Sequence, residues 1–243
     1  MHSAPISITP DRISVVLPCG RARVISSSVF HGKIALPDTA IGLCAGLTED
    51  IVEDEPLDVG DVGTMQLTSD VVCRYEGVNT LIDVGLDYLR GIGIDTTLSS
   101  QVALSCSGVG FHHDLAINPD KVFCIVWLGS LDTLDLVFPF VGLRIPLSFG
   151  TVVLFDSGQP HAVLARGATT YSADDYDEHY FETCISIDLP AAEASVMRAM
   201  SLSFHDLCDA PGALLNPKDE GPGVNNGTGV WHIKRTDCAL TPS

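Results

Sequence analysis

The chain predicts a mainly β protein with flanking helices, an α+β fold whose core is a sandwich, a jelly roll or a small barrel. From about residue 100 the apolar period changes from helical to strand-like, and eight short runs follow one another up to residue 189. Turn signals separate these runs: Ser107-Gly108, Asn118-Pro119-Asp120, Phe149-Gly150, Asp156-Ser157-Gly158 and Arg166-Gly167. Helical spacing returns on both sides of the β-rich region. Many short, evenly punctuated strands are what such β architectures require.

Residues 12–30 hold two β-branched runs broken by Pro18-Cys19-Gly20, which reads as a hairpin or a turn between strands. Residues 36–52 have Asp38 or Thr39 as N-cap and apolar spacing suited to a short helix. The acidic stretch 53–63, interrupted by Pro56 and Gly60, reads as an exposed loop. Leu81, Ile82, Gly85, Leu86 and Leu89 then fall at helical spacing, predicting an amphipathic helix that ends near Gly91. The eight strands are read as QVALSCS, GFHHDL, VFCIVWLG, LDLVFPF, GLRIPLSF, TVVLFDS, HAVLAR and FETCISIDL. The third is apolar on both faces, so one face should meet a second sheet and the other the N-terminal helices. After it all, Pro190 is a suitable first residue for a helix over the following apolar-spaced stretch. Residues 209–230 are rich in Pro, Gly and Asn and read as irregular cover, with a last strand expected in GVWHIKR. One domain over residues 1–243 is expected: an N-terminal α/β covering region (1–99), the core (100–189), and a C-terminal helix with a tail (190–243).

Composition narrows the function. A hydrophobic content of 46% and a mean hydropathy of +0.28 fit a well-filled core rather than disorder. No apolar run reaches the roughly 18–20 residues of a membrane-spanning helix. The N-terminal residues lack a basic start followed by an apolar block, so a cytoplasmic location is expected. The net charge of −18 argues against a nucleic-acid partner, because no Lys/Arg cluster offsets it. Eight cysteines are scattered with no C-x-x-C pair, which removes zinc-ribbon and thioredoxin-like readings. Nor is there a nucleophile elbow, a P-loop or a dinucleotide fingerprint.

The chemistry concentrates between Gly108 and Gly167. On a strand, residues i and i+2 share a face, so His112 and Asp114 project together while His113 faces away. His161 opens the seventh run, which can lie beside the second in a jelly roll. Two His and one carboxylate on one side of an iron leave three positions open. The competing reading of His112 and Asp114 is a local His–carboxylate pair that orients a loop. The remaining histidines show no partner pattern; His179, in an acidic insertion after the seventh run, would sit in a surface segment or lid.

These residues carry a family resemblance. G-x-G-F-His112-x-Asp114, the following apolar strand, and F-G-T-V-V-L-F-D-S-G-Q-P-His161 resemble the double-stranded β-helix (jelly-roll, cupin-like) core of the non-haem Fe(II), 2-oxoglutarate-dependent dioxygenases. The likeness is to their prolyl-hydroxylase and alkylated-base-repair branches. It spans 101–188 and implies that His112, Asp114 and His161 hold Fe(II), with 2-oxoglutarate as cosubstrate for oxidising a small molecule or a side chain. The pattern also calls for a basic residue on the last strand to pair the 2-oxoglutarate carboxylate. Cys184 stands there instead, and a neutral thiol cannot form that charge-assisted pair. Arg144 and Arg166 are the alternative anchors, although alternation from His161 turns Arg166 outward. Trp127, Phe155 and Tyr171 are candidate pocket walls. Two other readings stand beside this one: a cupin-like metal oxygenase or isomerase that does not use 2-oxoglutarate, and a non-catalytic jelly-roll binding protein. Substrate and oligomeric state are not legible in the sequence.

Overall fold

The computed structural model describes residues 13–43, 63–66, 75, 77–98, 101–106, 110–115, 118–128, 133–170, 183–210 and 212–215. Its strands are β1 (Ile13–Val16), β2 (Arg21–Val24), β3 (Val29–Lys33), β4 (Gly63–Gln66), β5 (Gln101–Cys106), β6 (Lys121–Trp127), β7 (Leu134–Phe138), β8 (Leu143–Pro146), β9 (Thr151–Asp156), β10 (Ala162–Ala165), β11 (Thr183–Pro190), β12 (Phe204–Asp206) and β13 (Ala213–Leu215). Among the described residues, helices α1 (Val78–Gly91) and α2 (Ala194–Met200) accompany them, with a short helical stretch at 39–43.

The strand apolar on both faces, β6, is central to the arrangement. It pairs antiparallel with β11 on one side and β9 on the other, inside a six-stranded sheet of order β3-β9-β6-β11-β5-β4. A smaller sheet, β10-β7-β8, covers one face of it. Between the sheets lie Phe123, Trp127, Val153, Phe155 and Cys184 from the large sheet, against Leu134, Leu136, Phe138, Ile145 and Val163 from the small one. From β5 the chain crosses to the His112 bridge beside β10, returns to β6, crosses to the β7–β8 hairpin, and then alternates between the sheets through β9, β10 and β11. That is a double-stranded β-helix, and the fold is mainly β as the sequence predicts.

On the other face of the large sheet, Val122, Cys124, Val126, Val152, Leu154, Ile185 and Ile187 pack beneath α1 through Val78, Leu81 and Leu89. Helix and sheet approach closely because Gly85 has no side chain. A Cβ there would stand 2.7 Å from the terminal methyl of Ile187. A third sheet, β12-β2-β1-β13, lies beside the jelly roll. Its centre is the expected hairpin, with Gly20 at φ 80° in the turn. Ile13, Val15, Leu17 and Ile25 bury their side chains against Leu115, directly after the candidate His–Asp pair.

Two local expectations change. GFHHDL is not a full strand; its pairing is one bridge, between His112 and His161. Pro190 does not open a helix but ends β11 opposite Lys121. The helix starts later because the Glu193 carboxylate accepts from the backbone N–H of Ser195 at 2.7 Å and of Val196 at 3.1 Å, satisfying donors that a helix start leaves open. Residues 39–43 are helical as expected. The acidic loop up to residue 62, Tyr171, His179 and GVWHIKR lie outside the described residues. No described helix is long and apolar enough to cross a membrane.

The close approach at Gly85 sets a test. Gly85→Ala gains about 1 kcal/mol of helix propensity but overpacks a buried contact at about 1–3 kcal/mol, so a net loss is expected. Ile187→Val removes the opposing methyl and alone costs about 0.5–1.5 kcal/mol. Urea denaturation of the double variant should show less destabilisation than the sum of the singles. Strict additivity would count against the contact.

Candidate metal centre

The two histidines meet through their backbones. His112 N–H donates to His161 O at 3.0 Å, and His161 N–H returns the bond to His112 O at 2.9 Å. This antiparallel pair brings the imidazole centroids to 4.2 Å. Asp114 arrives by a different device from the strand alternation expected of it: its N–H donates to Ser157 O at 2.9 Å, in the turn that leads to His161. Phe111, packed with Ala162 and Leu164, and Leu115, packed beneath the N-terminal sheet, pin the segment on either side.

The structure therefore brings together all three residues that the sequence nominates. One donor atom from each of His112, Asp114 and His161 lies within 4.8 Å of the others. The two Asp114 oxygens stand 3.7 Å from His112 Nε2 and 3.7 Å from His161 Nε2. Such gaps are too long for hydrogen bonds. They lie near the roughly 3–3.5 Å that separates two donors each about 2.0–2.2 Å from one ion.

The far side of each ring is held by a backbone carbonyl. His112 Nδ1 is 2.8 Å from Gly110 O, and His161 Nδ1 is 2.9 Å from Gln159 O. A carbonyl can only accept, so Nδ1 carries the proton and Nε2 keeps its lone pair facing the cluster. Burial drives the His161 pKa well below the ordinary imidazole value, and His112 adds to this against the opposing Gln159 bond. Phe155 meets its ring edge-on at 4.7 Å, with Phe138 at 6.0 Å. Burial also raises the Asp114 carboxyl, partly offset by His112 and His113. A divalent ion would supply the positive charge that suits this partly buried carboxylate, so the donor set fits a metal. His113 is half-buried and its pKa is lowered by burial; its Nδ1 lies 3.4 Å from Leu115 N.

The two candidate anchors sit elsewhere. Ile145 pairs with Leu136 and faces the inter-sheet core, so its neighbour Arg144 lies on the opposite face of the small sheet. Arg144 Nη1 donates to Asp135 at 2.7 Å and Nη2 to Ala168 O. Arg166 Nε reaches the other Asp135 oxygen at 3.3 Å, and its Nη2 bonds Leu134 O and Leu147 O, each at 3.1 Å. Burial pushes the Asp135 carboxyl up, but Arg144, the Gly167 N–H and Arg166 together bring it below its usual value.

What faces the interior on β11 is different. Cys184, Ser186 and Asp188 pair with Trp127, Ile125 and Phe123, whose side chains line the inter-sheet core. Asp188 is buried, accepts a hydrogen bond from Ser186 Oγ at 3.0 Å, and has its pKa raised chiefly by burial. Sequence reasoning missed Asp188, although an acid two and four places after Ser186 and Cys184 in one strand was the signal. The Nε1–H of buried Trp127 has no acceptor among the described residues.

The chain matches no protein-family model and no curated protein sequence. Solved structures do resemble it. A prolyl-4-hydroxylase from Pseudomonas putida is 15% identical, with a TM-score of 0.44 over 67% of this chain and 92% of that one. A prolyl hydroxylase from Trichoplax adhaerens, solved with a hypoxia-inducible-factor peptide fragment, is 13% identical, with a TM-score of 0.46 over 67% and 83%. An oxidoreductase of the 2OG-Fe(II) oxygenase family from Burkholderia pseudomallei is 13% identical, with a TM-score of 0.39 over 66% and 84%.

The depressed His161 pKa fixes a pH dependence for the metal-free protein. Unfolded, this imidazole titrates near its ordinary value of about 6.5; folded, it titrates well below. Below about pH 6.5 the unfolded chain binds the extra proton, so this contribution to stability is present above that pH and is lost as pH falls. The slope is at most about 1.4 kcal/mol per pH unit. Urea midpoints between pH 5 and 7.5 should fall more steeply for the wild type than for His161→Gln. Parallel profiles would contradict the assignment.

Proposed function

We propose that this chain is an Fe(II)- and 2-oxoglutarate-dependent dioxygenase that oxidises a small molecule or a side chain. The observation that carries the reading is the convergence of His112, Asp114 and His161, with both Nε2 atoms bare and both Nδ1 atoms tied to backbone carbonyls. Three such donors leave half of an octahedral ion's positions for exogenous ligands. Bound iron would supply the oxygen chemistry. The protein's part is to hold the ion and keep its surroundings dry: Phe155 and Phe138 shield His161, and the low His161 pKa keeps Nε2 free of a competing proton at neutral pH.

A 2-oxoglutarate carboxylate inside the barrel needs donors. Trp127 Nε1–H is one, buried on the interior face opposite Cys184 with no acceptor among the described residues. Arg144 or Arg166 would serve only by leaving Asp135. Trp127→Phe keeps the ring and removes the donor. A hydrogen bond to a charged group contributes about 1.5–3 kcal/mol, so 2-oxoglutarate affinity should fall about 10-fold or more while Fe(II) affinity is kept. Loss of 2-oxoglutarate affinity in Arg144→Ala alone, or Arg166→Ala alone, would assign the anchor to that arginine instead.

A second reading, a cupin-like metal oxygenase or isomerase without 2-oxoglutarate, draws support from Asp188 on the interior face and from both arginines being engaged at Asp135. Anaerobic Fe(II) titration with and without 2-oxoglutarate separates the readings. A visible charge-transfer band that needs 2-oxoglutarate is expected for the first. Iron binding without that band favours the second. Absence of iron binding sinks both and leaves a jelly-roll binding protein.

A further inference from the structure

Outside the jelly roll, on β2, the side chain of Arg23 is completely buried. Nη1 donates to Asp156 Oδ2 at 2.6 Å and Nη2 to Asp156 Oδ1 at 2.8 Å, a two-pronged pair. Nη2 also lies 3.2 Å from Ser157 Oγ and 3.4 Å from Lys121 O, and Nε donates to Pro119 O at 2.8 Å. Asp156 in turn accepts from Ser26 N–H and Gly158 N–H, both at 2.8 Å. Each acceptor belongs to one of two segments: the turn 118–121, just after Asp114, or the turn 156–158, just before His161.

Those two turns are joined to each other and to the metal cluster. Ser157 Oγ donates to Asn118 O at 2.7 Å, Asn118 N–H donates to Asp114 O at 2.9 Å, and Ser157 O receives the Asp114 N–H. Gly158 fits tightly beneath this network, where an added Cβ would lie 2.9 Å from the Ile25 side chain. A single guanidinium thus spans the loops that deliver the carboxylate and the distal imidazole. A buried ion pair is a poor source of stability, since an apolar pair of similar bulk often does as well. A fork that grips two separate loops has a use that an apolar pair lacks.

We propose that Arg23, through Asp156 and Ser157, is a positioning residue for the metal centre: it sets where Asp114 stands relative to His161, so that the N-terminal sheet is part of the metal site. The inference rests on the iron-site reading above. Its test is Co(II) titrated alone and followed by its visible d–d absorption, with thermal melting of each variant. Arg23→Met combined with Asp156→Leu replaces the pair by apolar bulk and should retain the fold. Its Co(II) Kd should rise about 10–100-fold, the usual effect of losing groups that orient metal ligands, with a displaced d–d band. Ser157→Ala keeps the ion pair and should weaken Co(II) about threefold or more, the effect of one hydrogen bond. It decides the matter alone if the double variant does not fold. Folded variants that bind Co(II) with wild-type affinity and spectrum overturn the proposal. A wild type that binds no Co(II) overturns the iron-site reading itself, a different result from wild-type binding that the variants leave unchanged.

Discussion

The reciprocal hydrogen bonds between His112 and His161 are the constraint on which the central architecture turns. They are the only pairing that GFHHDL makes with the small sheet among the described residues. Because opposed residues of an antiparallel pair point the same way, this one bridge suffices to bring two imidazoles from distant positions into register. Phe111 and Leu115 then act as apolar pegs on either side, and Ser157 O fixes Asp114 where the regular pairing has stopped. A longer strand would have made the site less dependent on these side contacts.

Most of the jelly roll was legible because its strands are short, alternating and cleanly punctuated. The double-sided apolarity of 122–128 foretold both layers above and below β6. His112, Asp114 and His161 could be nominated from type and spacing together with the resemblance that their flanking motifs carry. What could not be read was register. Whether Arg144 faces inward depends on its pairing with Val137, which is fixed only once β7 and β8 form. The start of α2 was misplaced for a related reason: Pro190 suits a helix start, but the two hydrogen bonds accepted by Glu193 decide the matter locally. The partner of Arg23 lies 133 residues away, and nothing in RARV names it.

Electrostatics give the interior its character. The chain holds 13 basic residues against 31 acidic ones, and three of its arginines serve just two buried aspartates, Asp135 and Asp156. Each aspartate is thereby paired with a guanidinium where water does not reach it. The interior face of β11 is left with a thiol, a hydroxyl and a carboxylate whose pKa is raised by burial. On that face β11 presents dipoles and one acid, and no cation.

The third sheet has a consequence for synthesis. Its hairpin, β1 and β2, is made before the jelly roll, yet the strands that flank it, β12 and β13, come from residues 204–215, after it. An emerging chain must therefore hold this hairpin without β12 and β13 until all the jelly-roll strands have been made. Closing contacts across such a span is entropically slow. The jelly roll can be collapsed while this sheet is still incomplete, leaving the last stage of folding to an element outside it.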